Sequence, residues 1–93
     1  MLKTITENGF TIPFKYRAAQ PGNIFAFFGE FDSAILTIQA SYDSGESFIT
    51  LERDGEIFQV VEPSIYQINV GRCFLRFSVS NAGPSTEIKV NIA

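Results

Sequence analysis

The chain of 93 residues contains no histidine, no tryptophan and a single cysteine, Cys73. Without an imidazole, neither a Ser-His-Asp nor a Cys-His arrangement can be assembled. One thiol excludes an intramolecular disulfide and a cysteine-based zinc cluster. Charged residues are scarce, at 18%. The longest apolar run, Ile24 to Phe28, has five residues, against the ~20 that a membrane-spanning helix requires. The first 14 residues lack the basic start and continuous apolar stretch of a secretory signal. The chain is therefore expected to be made and kept soluble, with no membrane partner. No window places apolar residues at helical spacing, so almost no helix is expected.

Apolar and aromatic residues are plentiful: 45% of the chain is hydrophobic, with ten Phe and three Tyr. A chain this short buries only ~60–65% of the surface it exposes unfolded, so a dense core is needed and this composition supplies one. Such a composition also argues against intrinsic disorder. The length corresponds to one domain over residues 1–93. The net charge of −3 is unevenly spread, with eight acids and only Arg53 as a base between residues 30 and 62. Lys3, Lys15 and Arg17 make the N-terminal third basic. An acidic middle and a pI near 4.7 argue against nucleic acid as a partner, since phosphate contacts need a basic surface.

The period of the apolar pattern is two, which predicts strands. Ala34, Leu36, Ile38, Ala40 and Tyr42 alternate with Ile35, Thr37, Gln39 and Ser41. Cys73, Leu75, Phe77 and Val79 form one face of a second run, and Ile88, Val90 and Ile92 one face of a third. Phe10, Ile12, Phe14 and Tyr16 alternate around Pro13, which cannot donate a ladder hydrogen bond and so predicts an edge strand. Asp54-Gly55 predicts a two-residue hairpin loop in which both residues take positive φ. That loop pairs Arg53 with Glu56, an ion pair at the tip, and Leu51 with Phe58 and Ile49 with Val60 behind it. Turn signals recur every 8–12 residues, which predicts an all-β chain of about eight strands. The expected architecture is a two-layer antiparallel β-sandwich of jelly-roll or immunoglobulin-like type.

No enzyme constellation emerges, and no catalytic, cofactor or metal residue is assigned. Cys73 lies on an apolar strand face, as an inert buried thiol does. Asp43-Ser44-Gly45-Glu46 offers oxygen atoms near a turn but lacks the spaced acids of a calcium loop. An Asx-type turn explains it better.

Ser41-Tyr42-Asp43-Ser44-Gly45-Glu46-Ser47-Phe48 resembles the Asp-box, Ser-x-Asp-x-Gly-x-x-Trp/Phe. The resemblance implies a stabilised hairpin in which Asp43 ties down the turn, Gly45 shapes it and Phe48 packs beneath. From Gly22 to Ala93 the order of motifs is broader in its likeness. A Phe-rich strand runs into Gly29, followed by Leu36 to Ser41, the Asp-box-like turn and a short hairpin. Gly71 to Phe77, a small-residue turn and the closing Ile88 to Ile92 strand come after. This pattern resembles the small all-β structural proteins of tailed bacteriophages, in particular capsid decoration, or cement, proteins. The resemblance implies a virion protein, not an enzyme and without a cofactor, that binds the major capsid protein and stabilises the shell as a homo-oligomer, a trimer by analogy. The alternatives it leaves open are a neck or tail adaptor, a fibre module and a carbohydrate-binding sandwich, for which Tyr42, Tyr66 and Phe74 are the candidate rings.

The expected interface follows from the strand Ile24 to Phe28, which is apolar on both faces. Phe25 and Phe27 are assigned to a subunit contact, with Phe74, which lies out of phase with its inward neighbours; cover of the strand by residues 1–16 or by a loop is the alternative. Residues 1–9 can serve as an extended N-terminal arm. Lys3, Lys15 and Arg17 would then meet a neighbour or an acidic capsid patch.

Overall fold

The structure, a computed structural model, describes residues 2–17 and 23–93. Strands account for 56% of these residues, all sheets are antiparallel and no helix occurs among them. The all-β expectation therefore holds.

One sheet contains β1 (Leu2–Ile5), β12 (Glu87–Ile92), β4 (Ile24–Glu30) and β10 (Ser64–Gln67), side by side in that order. The other is built on β11 (Cys73–Ser80) and β5 (Ile35–Ser41), paired over seven positions from Phe74↔Ser41 to Ser80↔Ile35. On one side of β11 lie two short pieces, β2 (Gly9–Phe10) and β3 (Phe14–Tyr16). On the far side of β5 lie two others, β6 (Ile49–Thr50) and β9 (Gln59–Val60). Between these last two a hairpin projects, formed by β7 (Glu52–Arg53) and β8 (Glu56–Ile57).

These divisions give twelve strand segments among the described residues where about eight were expected, because both edges of the second sheet are split. Pro13 interrupts the first, leaving Thr11 to donate its amide to the Phe77 carbonyl (2.9 Å) and to accept the Phe77 amide on its hydroxyl (2.9 Å). Phe10 and Ile12 consequently turn to solvent, against the predicted alternation. The second edge is split by the hairpin. Arg53 pairs with Glu56, and the Phe58 amide donates to the Leu51 carbonyl (3.0 Å), as the loop length requires. Asp54 (φ 55°) and Gly55 (φ 82°) both take positive φ. Below Leu51 the arms part: Ile49 pairs with Ala40 and Val60 with Leu36, so the expected Ile49–Val60 pair does not form.

The core fills the space between the two sheets. Phe25 and Phe27 from β4, Ile88 and Val90 from β12, Leu36 and Ile38 from β5, and Leu75 and Phe77 from β11 are all buried. The Phe27 and Phe77 rings meet edge to face at 6.3 Å, joining the sheets at their centre. Each fully buried apolar side chain of this size contributes about 1.5–3 kcal/mol relative to exposure.

The segment expected as an extended arm, residues 1–9, contributes a strand to each sheet. Leu2 to Ile5 pair in register with Asn91 to Ile88, and Gly9–Phe10 pair with β11. The backbone hydrogen bonds of a ladder hold it there. Met1 lies outside the described residues.

Candidate functional site

The Asp43 turn has the expected wiring. The Ser41 hydroxyl donates to Asp43 Oδ1 (2.7 Å), and the Gly45 amide donates to Ser41 Oγ (2.9 Å). The Ser47 amide donates to Asp43 Oδ1 (2.9 Å) and its hydroxyl to Oδ2. Ser44 and Gly45 both take positive φ, 64° and 88°. The hydrogen bonds from Ser47, then the one from Ser41, favour the ionised carboxylate and hold the Asp43 carboxyl down at about 2. All of these donors come from the turn itself, so the carboxylate serves the fold. Phe48, half-buried beside the turn, stacks on Arg76, whose guanidinium is 3.9 Å from the ring centre. Arg76 is held in place by its Nε–H donating to Gln39 Oε1 (2.7 Å) and by Phe10 on its other side (3.9 Å).

The residues assigned to an interface separate into three groups. Phe25 and Phe27, at 0% and 1% exposure, are core, and no neighbouring subunit could reach them. Lys3 turns inward from β1, with its ammonium 5.0 Å from the Phe14 ring centre, so it is engaged within the chain. Lys15, Arg17 and Phe74 come together at one end of the second sheet, beside Tyr42, Ser44 and Arg72. Cys73 lines the same cleft; burial pushes its thiol pKa up, which keeps it protonated near neutral pH. Tyr66 is packed on Phe58 (4.8 Å) and Phe27 (6.2 Å), with Arg53 over its ring (5.6 Å). Arg53 stacks on these rings, and among the described residues it makes no ion pair with Glu56.

The exposed apolar surface of β4 is its other face. Ile65 on β10 stands opposite Ala26, and Phe28 lies two residues along the same face. Ile65 is 72% exposed and Phe28 40%. With Pro63 they line a shallow apolar groove of about 420 Å³. Val61, two residues before Pro63 in the chain, is also exposed. The groove runs beside β10, which among the described residues pairs only with β4 and leaves its outer edge open. Sequence reasoning identified Phe28 as facing away from Phe25 and Phe27 but missed Ile65. The uncharged alternation Ser64-Ile65-Tyr66-Gln67 was the available signal.

The edges of the sheets differ in how they are protected against pairing. β1 carries an inward lysine, Lys3, and β2 and β3 are separated by Pro13. β6 and β9 are separated by the projecting hairpin. Inward charges, prolines and interruptions are the means by which natural sheets block edge-to-edge association. β10 has no charge, proline or interruption within its four residues. Comparison with protein families, curated proteins and solved structures finds no match to this chain.

Proposed function

We propose that the chain is a structural module of a virion, a capsid decoration protein that binds the shell and associates with itself through the open edge of β10. The two sheets are read as the layers of a jelly-roll or immunoglobulin-like sandwich, a rigid body suited to presenting surfaces. The single observation that carries the self-association is the coincidence of an unprotected edge with an apolar groove at Ile65, Phe28 and Pro63. Antiparallel pairing of two β10 strands would satisfy their outer backbone groups and bring the two grooves together. Because the segment Ser64–Gln67 carries no charge, its self-pairing places no like charges opposite one another. A pair of identical edges closes after two copies, so this edge favours a two-fold assembly over the trimer drawn from analogy. The major capsid protein is the second partner in this reading, and the virion is the location.

The class of partner is tested by mixing the protein with emptied capsid shells of tailed phages and sedimenting the shells. Saturable co-sedimentation at a fixed number of copies per capsomer supports a decoration protein. No binding to shells, with self-association intact, would move the assignment to a neck or tail adaptor or a fibre module.

A further inference from the structure

We propose that the cleft at the Tyr16–Cys73 end of the second sheet is a binding site for an acidic sugar. The cleft is independent of the β10 edge, which belongs to the other sheet, so either proposal can fail alone. It has a volume of about 290 Å³, at the lower end of the range for small-ligand sites and suited to one or two sugar units.

The first argument is the distribution of positive charge. The chain has seven basic residues. Four are engaged: Lys3 over Phe14, Arg53 over Phe58 and Tyr66, Arg76 between Phe10 and Phe48, and Lys89 paired with Glu87 (3.9 Å). The other three, Lys15, Arg17 and Arg72, have no partner among the described residues, and all three line this one cleft. No acid lines it. Asp43 sits in sequence between the lining residues Tyr42 and Ser44, but its carboxylate oxygens are occupied by Ser41 and Ser47.

The second argument is register. Tyr16 pairs with Cys73 and Lys15 with Phe74; Arg17 directly follows Tyr16, Arg72 directly precedes Cys73, and both line the cleft. Like charges gathered in one cleft repel. An acid group bound between them would relieve this, and two guanidinium groups are the side chains best matched to a carboxylate or sulfate.

The third argument distinguishes a sugar from a bare anion. The Tyr42 ring is 62% exposed, yet its hydroxyl donates to the Val70 carbonyl (2.6 Å), which fixes the ring while leaving it open to a ligand. Phe74, half-buried, lines the same cleft, and the Ser44 hydroxyl adds a polar contact. A held aromatic surface beside cations and a hydroxyl suits a ligand with an apolar ring face, hydroxyl groups and an acid. Inorganic phosphate would use the cations and leave the rings idle. A flexible acidic peptide would lose side-chain freedom without engaging them.

The test is calorimetric titration of the full chain, at low salt, with three acidic oligosaccharides: trigalacturonate, sialyllactose and a heparin tetrasaccharide. Maltotriose, pyrophosphate and hexaglutamate serve as comparators. At least one acidic oligosaccharide is expected to bind more tightly than all three comparators. Arg72→Ala and Tyr42→Ala should each weaken that binding ten-fold or more, while circular dichroism stays unchanged. Should Tyr42→Ala disturb the fold, Phe74→Leu provides the ring test, with the same ten-fold loss expected. Binding of no acidic sugar, hexaglutamate or pyrophosphate binding as tightly, or a less than two-fold effect of Arg72→Ala would overturn the proposal.

Discussion

The rings of Phe27 and Phe77 meet edge to face with their centres 6.3 Å apart, one from each sheet and both essentially without solvent exposure. This contact ties β4 to β11 and makes Phe27 a core residue. Phe27→Ala should lower stability by about 3–5 kcal/mol, the usual cost of removing a buried phenylalanine. Chemical denaturation checks it. An equal loss from Phe28→Ala, on the opposite and exposed face, would contradict the assignment of faces.

Gly29 lies inside β4 with φ of 92°, a conformation that side chains rarely adopt. A Cβ built there would also run into the carbonyl oxygen of Glu87 on the neighbouring strand. Gly29→Ala is therefore expected to cost more than the ~1–3 kcal/mol of backbone strain alone. Gly55→Ala, with positive φ but open space around it, should pay only the strain. Thermal or urea unfolding of the two variants should rank them in that order.

The Asp43 carboxyl, at about 2 in the folded chain, lies below the ordinary 3.8. A depressed folded-state value contributes stability above the unfolded value, and that contribution is lost as pH falls from about 4 through 2. Urea midpoints measured at pH 7 and pH 2.5 should differ more for the wild type than for Asp43→Ala. An identical acid-induced drop in both proteins would show that other carboxylates carry it. The effect is modest, because the group is exposed and screened by solvent.

Burial and the raised pKa of Cys73 predict slow modification. A thiol reagent at pH 7.5 should label the native protein at least a hundred-fold more slowly than the urea-unfolded chain. Equal rates would mean that the β3–β11 end opens freely.

Legibility in the sequence tracked the contrast between the two faces of each strand. β11 and β12 present Arg76, Ser78, Lys89 and Asn91 opposite an apolar row, so only one register could bury that row. Asp54-Gly55 specified its turn through local backbone preference alone, which is why that hairpin tip matched. β4 was ambiguous because Ile24, Ala26 and Phe28 are as apolar as Phe25 and Phe27; tertiary packing against Phe77 and Tyr16 made the choice. Tyr42 continues the apolar alternation of β5 in sequence, yet the strand ends at Ser41, where the Asp43 turn takes over, and the ring is left exposed. The opening of the hairpin below Leu51 was hidden for a similar reason. Pairing Ile49 with Val60 satisfies the hairpin, but β5 offers both arms a longer partner. The cation cleft joins positions 15, 17 and 72, a proximity set by strand pairing that no local pattern reveals.

Self-association through β10 is tested most directly by sedimentation equilibrium of the wild type and Ile65→Lys across a wide concentration range. Ile65 is 72% exposed, so the substitution should change folding stability by no more than about 0.5 kcal/mol. The wild type is expected to approach twice the 10.3 kDa chain mass as concentration rises, and Ile65→Lys to remain at the monomer mass with unchanged circular dichroism. A wild type that stays monomeric throughout, or an Ile65→Lys variant that associates as strongly, would contradict the account.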